Sequence, residues 1–413
     1  MLNDRLNAFS YFLRTSPVYV AVFLMRFAFA FTVVAIQYIV PIPYERGVIS
    51  AAYPLAEMLT GAFFGVLADR IGRKWLVSGA LLASSAITLS FTFTRSFELL
   101  VFIHGLQGLC AAAIVTSTLA SLADFAKKET RGREMGLYDF CTIGGYGLGF
   151  VFSLLIIGGN SANAQIPFYV GAVFALIGAI YSVLFLKDEK VKVSIDVSYR
   201  AMFSQVISSR KSLSLLATWF VLTIIIGLGL TYTRELFSAI ISLKGLGIVG
   251  VTRAVSGQPT KIGLVAALLL IVGVVLLGFS QTSLGSLADK YGRSRLVLIG
   301  QVSIFGILVT LVLLFQIHSY SFLAIPFLLL FGAGLLAFTP AGLAELSEIA
   351  PQSGRGSTMG LYSVVVGAGT VFAPLAGGYF ISKYGPADGF SIVYSIGIVI
   401  MTVVLLSHLS EKK

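Results

Sequence analysis

The chain has 413 residues, of which 57% are hydrophobic and only 11% charged, with a mean hydropathy of +0.93 and a formal net charge of +11. A water-soluble domain carries about 25% charged residues, so a soluble fold is excluded and the bilayer is the main solvent. Cys110 and Cys141 both lie in apolar stretches and report nothing about redox compartment.

Crossing the hydrocarbon core takes about 20 apolar residues per helix. In chain order, twelve such segments are read near 17–41, 47–68, 75–94, 97–122, 134–158, 165–186, 213–240, 262–288, 295–316, 320–346, 357–382 and 387–408. The predicted class is therefore an all-α membrane protein. No cleavable signal peptide is read, because the first apolar run is as long as a full span.

An even number of spans puts both termini on one side. Of the 29 Lys and Arg residues, 21 fall on that side, seven on the other, and Arg26 alone lies inside a span. Basic loops mark the cytoplasmic face, so both termini are expected in the cytoplasm. The positive charge is a topology signal, and no nucleic-acid partner is expected.

Two stretches repeat. Gly65-Val-Leu-Ala-Asp-Arg-Ile-Gly-Arg-Lys74 returns 220 positions later as Gly285-Ser-Leu-Ala-Asp-Lys-Tyr-Gly-Arg-Ser294, and Arg131-Gly-Arg-Glu-Met-Gly-Leu-Tyr138 returns 224 later as Arg355-Gly-Ser-Thr-Met-Gly-Leu-Tyr362. Two matches at nearly one offset predict a duplication. The expected domains are a six-helix bundle over 1–186, a cytoplasmic linker over 187–212 and a second six-helix bundle over 213–413.

The repeated GxLAD[RK]xGR loop resembles the signature of the Major Facilitator Superfamily, and the likeness extends to the topology and to the RGxxMGLY loop after span 4. The resemblance implies two parallel six-helix halves that rock about a substrate site near the membrane midplane. It implies a secondary transporter, not an enzyme, on a monomeric chain in the plasma membrane with no cofactor. For the loop residues Gly65, Asp69, Arg70, Gly72, Arg73, Gly285, Asp289, Gly292, Arg293, Arg131 and Arg355 it implies a conformational gate; a plain tight turn with solvated charges is the competing reading. In the second copy Lys290 and Ser294 weaken the pattern.

Ionisable residues deep in a span cost about 2.5–3.5 kcal/mol each on insertion scales, so they are functional candidates. Arg26, Glu57, His104 and Asp139 are the candidates for proton coupling, and all lie in the first half. Glu57 precedes Asp69 by twelve residues, or about 18 Å of helix, which places it near mid-membrane. Counted from the hairpin at Pro43, Arg26 sits at nearly the same depth and is a partner within reach. A permanent structural ion pair competes with a proton-coupling one. Asp139, about 9 Å from the cytoplasmic surface, is more simply a partner for a basic loop residue. His104-Gly-Leu-Gln107-Gly is similar to the family's RxxQG pattern with His in the Arg position, so a proton relay and a neutral packed His both stay open.

For Arg234 and Glu235 a solvated outer helix end is favoured over a gate. Gln37, Tyr38, Tyr53, Gln107, Tyr146 and Gln281 are candidate substrate contacts, each also readable as interhelical glue. The glycines of Gly144-Gly-Tyr-Gly-Leu-Gly149 and of Gly367 to Gly378 partly match an antiporter signature, with packing as the simpler role. The sugar-porter signatures are missing. The expected function is transport of a small amphipathic organic solute, with H+ as coupling ion; uptake of a polar metabolite and a non-transporting scramblase or receptor are the alternatives.

Overall fold

A backbone in hydrocarbon has no water to bond to, so each peptide group must be satisfied within its own segment or a closed barrel. Apolar runs of this length meet that demand as helices. The computed structural model describes residues 2–125, 131–158, 160–187, 209–236, 292–317, 321–349 and 355–410, and among them no strand occurs. The side chains of Asp69, Arg131 and Arg355 lie outside that description, as do the predicted eighth span with Gln281, Gly285 and Asp289 and the outer segment at 243–261.

The long helices are α1 (Leu2–Ile39), α2 (Pro43–Ile71), α3 (Arg73–Ser90), α4 (Phe97–Phe125), α5 (Arg131–Ile157), α6 (Ile166–Phe185), α7 (Arg210–Thr231), α8 (Arg293–Ile317), α9 (Ser321–Ile349), α10 (Arg355–Tyr384) and α11 (Pro386–Ser410). Among the described residues nine helices are long and apolar enough to cross a membrane, and the exceptions are α3 and α9. Helix α3 has 18 residues and begins on Arg73 and Lys74, which shortens its apolar run. Two expected boundaries shift. Helix α1 starts at Leu2, although its apolar span begins only at Thr15. Helix α7 stops at Thr231, short of the expected 240, because Tyr232 leaves helical geometry at φ −121°, ψ 37°.

The chain separates into two compact units. The described residues of the first fall within 1–39 and 55–194, and those of the second within 40–54, 195–253 and 279–413. The hairpin after α1 and the first three turns of α2 thus belong with the second unit, although their neighbours in sequence belong with the first.

Within the first unit α1 packs on α5 and α6, and α3 on α4 and α6. Within the second, α7 packs on α10 and α11, and α8 on α9 and α11. Matching spans therefore choose matching neighbours, which is the duplication expressed in three dimensions. Polar residues inside the apolar helices are largely satisfied locally: the hydroxyls of Thr116, Ser117, Thr118 and Ser121 on α4 donate to carbonyls four residues back.

Close approach is what the interior glycines provide. A Cβ on Gly149 would lie 2.4 Å from the Phe27 carbonyl oxygen, and one on Gly145 2.6 Å from that of Phe23. In the second unit a Cβ on Gly369 would lie 2.8 Å from the Phe220 carbonyl oxygen. Bulk at such a contact cannot be relieved by a rotamer change, since the obstacle is backbone. Gly149→Leu is therefore expected to destabilise the first unit by at least about 1–3 kcal/mol, read as a lowered Tm in detergent. Gly79→Ala, where the added carbon meets nothing within 4 Å, should leave the Tm unchanged.

Candidate functional site

The chemistry of the first unit gathers where α1, α2 and α5 face one another. Arg26 on α1 and Glu57 on α2 lie near the middle of their spans, Thr15–Ile39 and Pro43–Ala68. Arg26 Nη2 donates to Glu57 Oε1 at 3.1 Å. Arg26 Nη1 lies 3.5 Å from the Tyr146 hydroxyl on α5, and the guanidinium carbon is 5.3 Å from the Tyr146 ring centroid. The arginine thus has a carboxylate and the negative face of an aromatic ring as partners. Its position depends on the α5 glycines, because a Cβ on Gly145, next to Tyr146, would come within 3.2 Å of Arg26 Cβ. Side-chain exposure is 11% for Arg26 and 23% for Glu57, so both groups are largely shielded.

Other sequence-predicted residues go elsewhere. His104 is buried, stacked on Phe29 with centroids 5.7 Å apart and set edge-on to Phe91 at 5.9 Å. Phe29 in turn meets Tyr146 at 5.4 Å, nearly perpendicular, so His104 stands one ring behind the ion pair. Gln107 ties three helices together, its amide nitrogen donating to Thr32 on α1 at 3.3 Å and to Thr88 on α3 at 3.0 Å. Asp139 is exposed on α5, and among the described residues it forms no ion pair. Its neighbour Tyr138 is buried, 2.9 Å from the Thr118 hydroxyl. Gln37 is buried and Tyr38 half-buried in the first unit, whereas Tyr53, also buried, belongs to the second.

The loop motifs show why their second glycine is needed. Gly72 and Gly292, at matching positions of the two copies, have φ of 97° and 91°, a region that side chains with a Cβ disfavour. Gly65 faces open space. Arg70 is exposed, Arg73 buried and Arg293 half-buried. Ser294, which stands where the first copy has Lys74, has a partner of its own: its hydroxyl donates to the buried Glu345 on α9 at 2.5 Å, and Lys211 at the start of α7 pairs with the same carboxylate. A comparable contact occurs in the first unit, where Tyr19 on α1 donates to the buried Glu134 on α5.

A second charge cluster lies in the second unit where α2 begins and α7 ends, and no sequence motif announces it. Arg46, only 1% exposed, places Nη1 2.7 Å from both carboxylate oxygens of Glu235, while Nε donates to the Val40 carbonyl at 3.1 Å and Nη2 to that of Pro41 at 3.3 Å. The Tyr232 ring centroid is 5.8 Å from the guanidinium carbon, and its hydroxyl reaches the carbonyls of Pro374 at 2.6 Å and Pro43 at 3.1 Å. Arg234 is exposed, as a solvated helix end requires, but Glu235 is not a solvated end group. The span-11 glycines belong to this cluster: a Cβ on Gly378 would lie 2.7 Å from the Tyr232 hydroxyl. The signal in the sequence was slight, a lone Arg early in α2 and a lone acid after α7.

Comparison with known proteins places these features in a family. The family model of the Major Facilitator Superfamily matches residues 15–279 and 236–412. "Quinolone resistance protein NorA" of Staphylococcus aureus (strain MSSA476) is 23% identical over 367 residues, covering 88% of this chain and 86% of that protein. "Multidrug resistance protein 2" of Bacillus subtilis (strain 168) is 25% identical over 333 residues, covering 80% and 78%. Among solved structures, a point mutant of the nucleoside transporter NupG aligns with a TM-score of 0.71 at 12% identity, over 97% of this chain and 100% of that one. At that identity the likeness shows the fold. With twin loop motifs on two like-packed units of apolar helices, and a family match running nearly end to end, the chain belongs to the Major Facilitator Superfamily of integral membrane transporters.

Proposed function

We propose that the protein exports an amphipathic organic solute across the plasma membrane in exchange for protons, with Glu57 as the proton carrier and Arg26 as its internal counter-ion. The observation that carries this reading is the Arg26–Glu57 pair inside the apolar thickness, with Tyr146 against the guanidinium. The resistance proteins of Staphylococcus aureus and Bacillus subtilis, matched over most of their length, support the choice of substrate class.

The physical logic rests on which states the buried site tolerates. Removing one partner of a buried pair costs about 3–5 kcal/mol, because an uncompensated charge is left behind. Two arrangements avoid that cost: the closed ion pair, and a protonated Glu57 with the guanidinium held by the Tyr146 ring and hydroxyl. A proton from the outside converts the first into the second, and its loss to the inside restores the pair. A solute with a cationic centre can take the place of Arg26 beside Glu57 only when the proton has left. Proton and solute are thereby made alternatives at one carboxylate, which is the requirement for exchange. With the termini on the strongly basic side, that side is the cytoplasm, and solute leaves from it.

The test uses the full chain in proteoliposomes with a fluorescent quinolone as probe. Glu57→Gln is expected to lower pH-gradient-driven quinolone movement by at least about tenfold, one factor of ten corresponding to about 1.4 kcal/mol, while exchange at equal pH persists. Wild-type gradient-driven movement in Glu57→Gln would remove Glu57 from the mechanism. Asp139→Asn, lying outside the cluster, should retain gradient-driven movement within about twofold; a collapse comparable to that of Glu57→Gln would make Asp139 the carrier instead.

A further inference from the structure

Helices α8 and α9 of the second unit pack antiparallel, and three glycines set how closely. A Cβ on Gly300 would lie 2.3 Å from Phe338 Cβ, one on Gly334 2.1 Å from Ser303 Oγ, and one on Gly306 2.5 Å from the Phe331 ring. Position 300 thus meets 338, 303 meets 334 and 306 meets 331, each step along α8 matched by a step back along α9. Beside this contact runs a trough of about 500 Å³, walled by Ile299, Val302, Leu330 and Phe331 over a floor that includes Ala333 and Gly334. Ile299, Val302 and Leu330 are exposed, and Ser303 has the one hydroxyl among the lining side chains.

A cation stands at the end of this trough. Arg295 precedes Ile299 by four residues and Val302 by seven, so the three share one face of α8 over about 10 Å of helix. Arg295 is exposed in the first turn of the span Arg293–Gln316. Among the described residues it forms no hydrogen bond or ion pair. Glu345, the carboxylate packed against the adjacent Ser294, is already held by Ser294 and Lys211. The free N–H groups that open α8 add positive character at the same level. The first repeat is built differently: at offset 220, Trp75 stands where the second copy has Arg295, and Gly79 where it has Ile299. Trough and cation therefore do not come from the shared loop motif.

We propose that the trough is a binding site for an anionic phospholipid, with an acyl chain along Ile299, Val302 and Leu330 and the phosphate on Arg295. Apolar walls that run inward from a guanidinium at the start of a span match a molecule in which charge and hydrocarbon chain are joined. A second copy of this chain is a poorer match. A two-fold contact within the membrane keeps both copies upright, so it would set two Arg295 side chains at one level, facing each other. The site is independent of the Arg26–Glu57 pair and of the exchange proposed above.

The test photolabels the full chain in detergent with phosphatidylglycerol carrying a diazirine in its acyl chain, and maps the adducts by peptide mass spectrometry. Labelling is expected on 298–303 and 330–334. Unlabelled phosphatidylglycerol should compete about fivefold better than phosphatidylcholine with the same chains, the factor one arginine near an anionic headgroup supplies. Arg295→Gln should lower labelling there by about fivefold and erase the headgroup preference. Arg210→Gln, at the exposed start of α7, should leave both within about twofold. Ala333→Trp, which fills the trough and leaves Arg295 in place, should lower labelling by probes of either headgroup; Val302→Trp carries the comparison if Ala333→Trp lowers the Tm. Undiminished labelling in Arg295→Gln, equal competition by the two lipids, or labelling that survives a filled trough would overturn the site. So would a dimer that persists in excess phosphatidylglycerol and cross-links through Ile299 and Val302, because the trough would then belong to a second copy.

Discussion

A guanidinium and a carboxylate held 3.1 Å apart in the middle of apolar helices constrain everything around them. Each charge alone would cost several kcal/mol at that depth, so Arg26 and Glu57 are tolerable only as long as α1 and α2 keep them in register. The register in turn depends on α1 lying close to α5. Gly145 and Gly149 allow that approach, and the Tyr146 ring, between them in sequence, covers the guanidinium. The aromatic series from Tyr146 through Phe29 to His104 and Phe91 backs the pair with apolar surface. Water is thereby kept from most of the guanidinium, and the pair stays strong.

The two units repeat each other's packing and differ in where they place charge. Among the described residues of the second unit the corresponding interior is neutral: Gln301 donates to Ser214 and Thr218 on α7, and an apolar core holds Trp219 against Phe338. Two ion pairs among its described residues lie toward helix ends, Arg46–Glu235 and Lys211–Glu345. At an end, headgroups and water compensate a charge whose partner moves away, so these contacts can break and re-form. At mid-span no such compensation exists, and only protonation or a replacement cation can follow separation. Position along the helix therefore separates the end pairs, which water and headgroups can compensate, from the mid-span pair, which they cannot.

Much of this was legible in the sequence because it is one-dimensional. Apolar length set the helices, and counting residues from Asp69 and Pro43 put Glu57 and Arg26 within reach of each other. Lateral placement was not legible. His104 matches a motif position and packs against the Phe29 and Phe91 rings, and Gln107 bonds two threonines. Ser294 weakened a pattern by sequence and proves to be a bonded partner of Glu345. The Arg46–Glu235 contact joins residues 189 apart, and a spacing that long leaves no periodic trace. Glu235 therefore read as a solvated helix end, since nothing local showed that a hairpin would return to cover it.

Why a pair, and not a lone acid, suits exchange follows from the energetics of burial. A lone carboxyl in an apolar helix is most stable when protonated, and it would hold its proton through the cycle without responding to the solute. An adjacent guanidinium gives the carboxylate a compensating partner inside the span. Glu57 lies on α2, three residues after the helix-interior Pro54. A fixed interior acid on a rigid helix would sense only the local proton concentration. In the proposed exchange, an acid paired across two helices responds to their separation as well as to the proton concentration. The proposed exchange then needs no relay of titrating groups through the membrane, only one pair whose separation is too costly to leave uncompensated.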